Sequence, residues 1–216
     1  MNRVAVLGSG IVGQTLAGGF LQFGYHVMRA SRDPHKLDGW LAEAGDHAST
    51  GTFDEAASWG DTIVLAVKGS AAEAAVDLCG PDNLAGKIVI DTTNPIADAP
   101  PQNGVLQFFT GPNDSLFERL QARAPRARFV KAFSCVGNAH MVQPDFGGTR
   151  PTMFVCGNDD DAKLRVGELL DEFGWDSEDM GGAEAARAIE PLCMLWCIPV
   201  FRSGRASHAF KLLDRG

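Results

Sequence analysis

Gly8, Gly10 and Gly13, in the run Gly8-Ser9-Gly10-Ile11-Val12-Gly13, have the spacing of a turn that meets a diphosphate with its backbone. Gly8 suits the tight turn, Gly10 lets the chain approach phosphate oxygens, and Gly13 lets a helix pack close on a strand. About 20 residues further on, an acidic side chain would mark a ribose 2′-hydroxyl. That place holds Ser31-Arg32 instead, with Lys36 shortly after. A hydroxyl, a guanidinium and an ammonium fit a 2′-phosphate, because Arg grips phosphate oxygens in bidentate fashion. The chemistry expected here is dinucleotide binding, with NADP(H) rather than NAD(H) as cofactor. Asp33 does not restore the acidic mark: followed by Pro34, it reads as the N-cap of the next helix.

These residues work only if a strand ends at Gly8 and a helix starts behind it. Val4 to Leu7 is a short β-rich apolar run, an amphipathic segment follows to Phe23, and Gly24 is its natural stop. Tyr25 to Ala30 is a second apolar run. Further strands are expected at 48–50, 61–67, 87–91, 128–133 and 152–156. Helices are expected at 37–44 and 54–58, from an N-cap at Ser70 to Leu78, from an N-cap at Asp114 to Arg123, and from Asp159 to Phe173. Strands alternating with helices imply an α/β fold, a Rossmann-type doubly wound parallel sheet, over residues 1–132. Residues 133–216 read as a small C-terminal α/β portion that completes an acceptor cleft and ends in an apolar helix. Pro191 should divide that helix in two, since it lacks an N–H and disfavours helix before it. Leu192, Met194, Leu195, Trp196, Ile198, Val200 and Phe201 make it apolar nearly all round. Such a helix must be covered, and a homodimer is the expected cover.

Ligands of open parallel sheets sit at the carboxyl ends of strands. Those tips carry Ala66-Val67-Lys68, Thr92-Thr93-Asn94 and Phe133-Ser134. Asn94 and Thr92 can orient a nicotinamide or ribose, although Asn94-Pro95 also suits a plain turn. Lys68 reads equally as a phosphate contact or a solvated loop charge. The aperiodic stretch from Thr92 to Asn113 is long enough to be a pocket wall. His140 is a candidate proton donor or shuttle, with a structural hydrogen-bonding role as its alternative. Cys135 has no adjacent histidine in sequence to activate it.

The formal net charge of −8 over 216 residues argues against nucleic acid or an anionic membrane as partner. The longest apolar stretch, 188–201, is too short to span a bilayer and contains Glu190, Pro191 and Pro199. No leader-like segment precedes the first strand. Five cysteines without a CxxC pair fit reduced thiols in a cytoplasmic protein. Cys193 and Cys197 lie one helical turn apart without further ligands in register, so they read as packing and no metal site is expected.

Taken together, GSGIVGQTLAGGF, the Ser31-Arg32 pair, LAVKG, DTTNP, the KAF strand and ARAIEPL…LW resemble the NADP oxidoreductases dependent on the deazaflavin coenzyme F420. They also resemble the reductase domain of the animal six-transmembrane metalloreductases. The resemblance covers almost the whole chain. It implies NADP contacts at Ser9, Gly10, Ile11, Val12, Ser31, Arg32, Lys36, Ala66, Lys68 and Asn94; the turn spacing adds Gly8 and Gly13 to the expected cofactor site, and the strand tip adds Val67. It also implies a small-molecule redox acceptor, a deazaflavin or flavin ring, in the cleft. Ala66, Val67, Thr92, Thr93, Asn94, Phe133 and Ser134, at the strand tips, do not titrate near neutral pH. Hydride transfer to such a ring with no essential protein acid or base is therefore expected. Phe108 and Phe109 would wall the ring, and Arg202, Arg205 or Lys211 would meet an anionic tail. The alternatives are an NADPH-dependent reductase of a small carbonyl or imine, with His140 as acid, and a non-catalytic NADP-sensing protein.

Overall fold

A strand buried on both faces must be apolar at nearly every position, as the runs at 4–7 and 63–67 are. The computed structural model describes residues 3–215. Strands β1 (Arg3–Leu7), β2 (His26–Ala30), β3 (Ala48–Gly51), β4 (Thr62–Leu65), β5 (Ile88–Asp91) and β6 (Arg128–Lys131) form one parallel sheet. Their order is β3-β2-β1-β4-β5-β6. The order reverses between β1 and β4, which opens a crevice at their carboxyl ends. Helices α1 (Ile11–Gln22), α2 (Asp38–Ala44), α3 (Phe53–Trp59), α4 (Ala72–Cys79), α5 (Pro81–Leu84) and α6 (Leu116–Arg123) connect these strands. Side chains alternate between the faces. Val4, Val6 and Val64 pack with Leu16 and Phe20 of α1. Ala5, Leu7 and Ile63 pack with Ala56, Val76 and Phe117 of α3, α4 and α6.

Behind β6 the chain forms β7 (Thr152–Val155), α7 (Asp160–Glu172) and β8 (Asp176–Asp179), then α8 (Ala186–Ser203). β7 and β8 make a separate two-stranded parallel sheet. A single antiparallel bridge, Lys131 N–H to the Cys156 carbonyl at 2.9 Å, joins it to the main sheet. The aromatic ring of Phe173, just past α7, lies 5.1 Å from Phe20 and 5.3 Å from Phe23, so this unit rests on α1.

The fold class is the expected one, but several local expectations are corrected. The strands stop earlier than the apolar runs, at Leu65, Lys131 and Val155, which frees residues 66–68 and 132–134 as tips. Asp33 makes no capping bond; Pro34–Leu37 is a 3-10 turn and α2 begins at Asp38. Ser70 likewise lies inside a 3-10 turn, Gly69–Ala71, ahead of α4. The cap of α6 is Ser115, whose Oγ accepts from the Glu118 N–H, while Asp114 pairs with Arg119. Most telling is α8, which runs unbroken through Pro191 and Pro199. Pro191 lies on the exposed side, opposite buried Ile189, Cys193 and Trp196, so packing of the inner face outweighs one lost hydrogen bond. Among the described residues no helix is long and apolar enough to cross a membrane, and no cluster could hold a metal ion.

Candidate functional site

The glycine turn has the geometry its residue types require. Gly8 has φ 144°, and a Cβ there would collide with the Ala66 carbonyl oxygen of the neighbouring tip. A Cβ on Gly13 would come within 2.7 Å of the Gly8 oxygen. A Cβ on Gly10, by contrast, would meet nothing within 4 Å among the described residues, so the space that an approaching phosphate needs is open. Gly10 begins α1 with no side-chain cap and no acidic residue in the first turn. The first N–H groups and the positive end of the helix dipole are therefore left for an anion.

A cavity of about 260 Å³ runs from this turn to the ends of β2 and β4. Its lining includes Ser9, Ser31, Arg32, Lys36, Val67 and Lys68, with no carboxylate. Ser31 is buried and its Oγ accepts from the Asp33 N–H at 3.3 Å; Arg32 and Lys36 are exposed. Lys68 is not a free charge, since it pairs with Asp98 on the following loop. Sequence reasoning missed Arg29, which is only 1% exposed. Its Nη2 donates to the Gly8 and Gly10 carbonyls at 3.2 Å each, and its guanidinium lies 4.9 Å from the Trp40 ring centre. Burial lowers its pKa from the usual arginine value. The signal was present in the sequence: a lone cation inside the apolar run of β2.

A second cavity, about 350 Å³, continues past Gly10 along Ile11, Val12, Ala66, Thr92, Asn94 and Ile96. Its tips are pinned. Thr92 Oγ1 donates to the Leu65 carbonyl at 3.0 Å, and Asn94 Nδ2 donates to the Ser134 carbonyl at 2.8 Å. Asn94 Oδ1 is buried and has no partner, an acceptor left free beside the cavity. Phe133 precedes Ser134 at φ 60°, a left-handed conformation that costs a non-glycine residue about 1–3 kcal/mol. It is held there by burial and by its N–H contact to Met153 Sδ at 3.1 Å.

Beneath these tips lies a buried charge network. Lys131 Nζ bonds Asp91 at 2.9 Å, Glu190 at 3.2 Å and the Thr93 carbonyl. Burial would lower its pKa, but Asp91 and Glu190 outweigh that and hold it above the ordinary lysine value. Glu190 also accepts the Leu116 and Phe117 N–H groups at the start of α6, at 3.1 and 3.0 Å. Sequence reasoning missed this network, because its members lie far apart in the chain.

The remaining expected residues fall outside the two cavities. His140 sits in the 3-10 turn Asn138–His140, its ring 5.0 Å from that of Phe146, and lines neither cavity. Cys135 is buried, and burial pushes its thiol up to about 12. Phe109 is half-exposed with Arg119 over its ring, and Lys211 pairs with Asp176. Gly104, in the loop carrying Phe108 and Phe109, packs so closely on α8 that a Cβ would come within 2.8 Å of Arg202 Cγ. A larger cavity of about 600 Å³ lies between α1, α7 and the sheet. It reaches Val4, Thr62 and Ile88 at the amino ends of strands, away from where parallel sheets bind ligands.

With this geometry established, similarity to known proteins decides the family. Residues 3–95 match the family model described as NADP oxidoreductase coenzyme F420-dependent. The crystal structure of a candidate F420-dependent NADP-reductase from Arthrobacter sp. FB24 superposes with a TM-score of 0.91 at 33% identity, over 98% of this chain and 99% of that one. The chain belongs to this family. Members are NADP-dependent oxidoreductases. Among curated proteins, metalloreductase STEAP3 of Rattus norvegicus is 30% identical over 202 residues, 91% of this chain. The chain spans 38% of the length of the curated relatives it matches. A reductive aminase from Aspergillus terreus, at 18% identity and a TM-score of 0.64 over 88% of this chain and 59% of that one, shares the fold.

Proposed function

We propose that this family member transfers hydride between NADP(H) and a planar redox ring, a deazaflavin such as coenzyme F420 or a flavin. The observation that carries the reading is the make-up of the second cavity. Ile11, Val12, Ala66, Val67, Thr92, Thr93, Asn94 and Ile96 line it, and its one titratable group, Lys68, is already paired with Asp98. A ketone would need a proton donor for the developing alkoxide, whereas a ring that delocalises charge can take its proton from solvent. The protein then contributes proximity and orientation.

The residues fit NADP(H), which when bound supplies or accepts the hydride. The open space at Gly10 and the uncapped start of α1 receive the diphosphate through the backbone of Ser9, Ile11 and Val12, with Gly8 and Gly13 holding the turn. Ser31, Arg32 and Lys36 bind the 2′-phosphate, in a cavity without carboxylates on a chain of net charge −8. The unpartnered Asn94 Oδ1 accepts a donor from the nicotinamide ribose or carboxamide, while Ser134 holds the Asn94 amide in place. Residues 1–132 supply the dinucleotide side and line both cavities, and residues 133–216 support the site through the Ser134 carbonyl that holds Asn94. The open cavity also favours an enzyme over an NADP sensor, whose cleft would be filled.

Stopped-flow oxidation of NADPH against coenzyme F420, FMN, FAD, ferric chelates and quinones tests the acceptor. A planar ring should give saturable turnover, with His140→Ala retaining kcat to within a few fold. A hundredfold loss, on the order expected for a general acid, would instead support the carbonyl or imine reading. We also propose a homodimer through α8, on which Leu195 and Phe201 remain 54% and 51% exposed. A monomer mass in light scattering at micromolar concentration would refute it.

A further inference from the structure

Resting on the NADP reading above, we propose that Arg29 is a positioning residue for the dinucleotide's diphosphate, acting from beneath the glycine turn. Its Nη2 donates to the carbonyls of Gly8 and Gly10. In a trans peptide the C=O of one residue and the N–H of the next point in opposite directions. Drawing the Gly8 and Gly10 oxygens towards the guanidinium therefore turns the Ser9 and Ile11 N–H groups away from it. Space is open where a side chain on Gly10 would stand. One buried side chain thus braces two peptide planes from behind, that of Gly10 together with the Gln14 N–H at 3.0 Å, and their donors face away from the guanidinium.

Charge adds a second effect. No carboxylate pairs with Arg29 among the described residues, and its Nε is buried without a partner. The guanidinium is buried against oxygen dipoles and the face of Trp40 alone. A cation held in low dielectric without a counter-charge leaves a positive field at the turn, and burial makes that field less screened than that of an exposed lysine. A diphosphate seated on the turn is the missing counter-charge. The 2′-phosphate has its own cations, Arg32 and Lys36, at the far end of the cavity. Arg29 consequently raises affinity for any dinucleotide without choosing between NADP and NAD.

Three variants separate geometry from charge. Arg29→Met removes both, Arg29→Gln keeps amide donors without charge, and Arg29→Lys keeps charge without the planar fork. Calorimetry with NADPH, NADH and adenosine 2′-monophosphate is run on each variant and on the wild-type chain, with melting of the free proteins alongside. Arg29→Met should weaken NADPH and NADH by the same factor, about tenfold or more, and leave the salt dependence of binding nearly unchanged. Binding of the 2′-monophosphate, which lacks a diphosphate, should change less than twofold. The melting midpoint of the free variant should stay level or rise, because an unpaired buried charge has been removed. Arg29→Gln and Arg29→Lys should fall between wild type and Arg29→Met. The proposal is overturned if the wild-type chain binds NADPH and all three variants bind it within twofold. It is equally overturned if NADPH weakens while NADH does not, which would move Arg29 to the 2′-phosphate. Failure of the wild-type chain to bind either dinucleotide would instead overturn the NADP reading itself.

Discussion

Two cations are buried in this sheet, and they are handled in opposite ways. Lys131 at the end of β6 is fully buried and faces Asp91, Glu190 and the Thr93 carbonyl. Arg29 in β2 is almost as buried and faces only carbonyls and an indole. Their titration shifts differ accordingly: carboxylates raise the ammonium of Lys131, and burial lowers the guanidinium of Arg29. A buried charge balanced from within serves architecture, because its partners come from separate elements and are tied together by it. A buried charge left unbalanced beneath the glycine turn is, on the proposal above, balanced by the ligand.

Removing the balanced cation should have the largest effect. Lys131→Met leaves Asp91 and Glu190 buried together without an ammonium, and breaking such a pair costs about 3–5 kcal/mol. Urea denaturation measures it, and a loss below about 1 kcal/mol would show that the carboxylates do not depend on Lys131. The exposed cation at the other cavity end comes next. Arg32→Ala should weaken NADPH by tenfold or more, from a charge-assisted contact of about 1.5–3 kcal/mol, and leave NADH nearly unchanged. Equal wild-type affinity for the two dinucleotides would refute the assignment.

A neutral partner gives a smaller effect. Ser115→Ala removes the cap of α6 and should cost about 1 kcal/mol, more than Asp114→Ala, which loses only a surface pair. The reverse order in thermal melts would return the cap to Asp114. The half-exposed pair Glu118–Arg187, with Nε to Oε2 at 2.9 Å, should contribute least. Its hydrogen bond to Arg187 holds the Glu118 carboxyl below the ordinary value of 4.5. A depressed folded pKa gives stability that is present above the unfolded value and lost as pH falls through the folded one. The gap in melting temperature between wild type and Glu118→Gln should therefore exist at pH 7 and close as the pH falls below the ordinary carboxylate range. A gap that persists at low pH would mean the pair acts through packing.

The sequence made the site more legible than the wall behind it. The glycine turn, Ser31-Arg32 and the strand tips could be read because local spacing and strand ends determine them. Arg29 escaped because a lone cation in an apolar strand has no meaning until its turn partners are known. β8, made of Asp176, Ser177, Glu178 and Asp179, carries no apolar alternation and is exposed throughout, so only its pairing with β7 makes it a strand. From sequence α8 reads as broken because proline's local cost is visible there, while the burial that overrides it is not. The Lys131 network stayed hidden for the same reason: its members are brought together by topology alone.

Glu190 gives the molecule an order of assembly. The carboxylate that closes the start of α6 and completes the shell of Lys131 lies 74 residues after Leu116 and 59 after Lys131. A nascent chain emerging amino end first has already made all six strands of the main sheet before that carboxylate is synthesised. Until it arrives, the α6 amides lack their acceptor and the ammonium has one carboxylate instead of two. The dinucleotide half is thus expected to remain loosely formed during synthesis and to set only when the last helix docks. Contacts so distant in sequence slow that final step. A chain ending at residue 132 should accordingly show a broad, weakly cooperative melt by circular dichroism, and a sharp one would show that the front half matures alone.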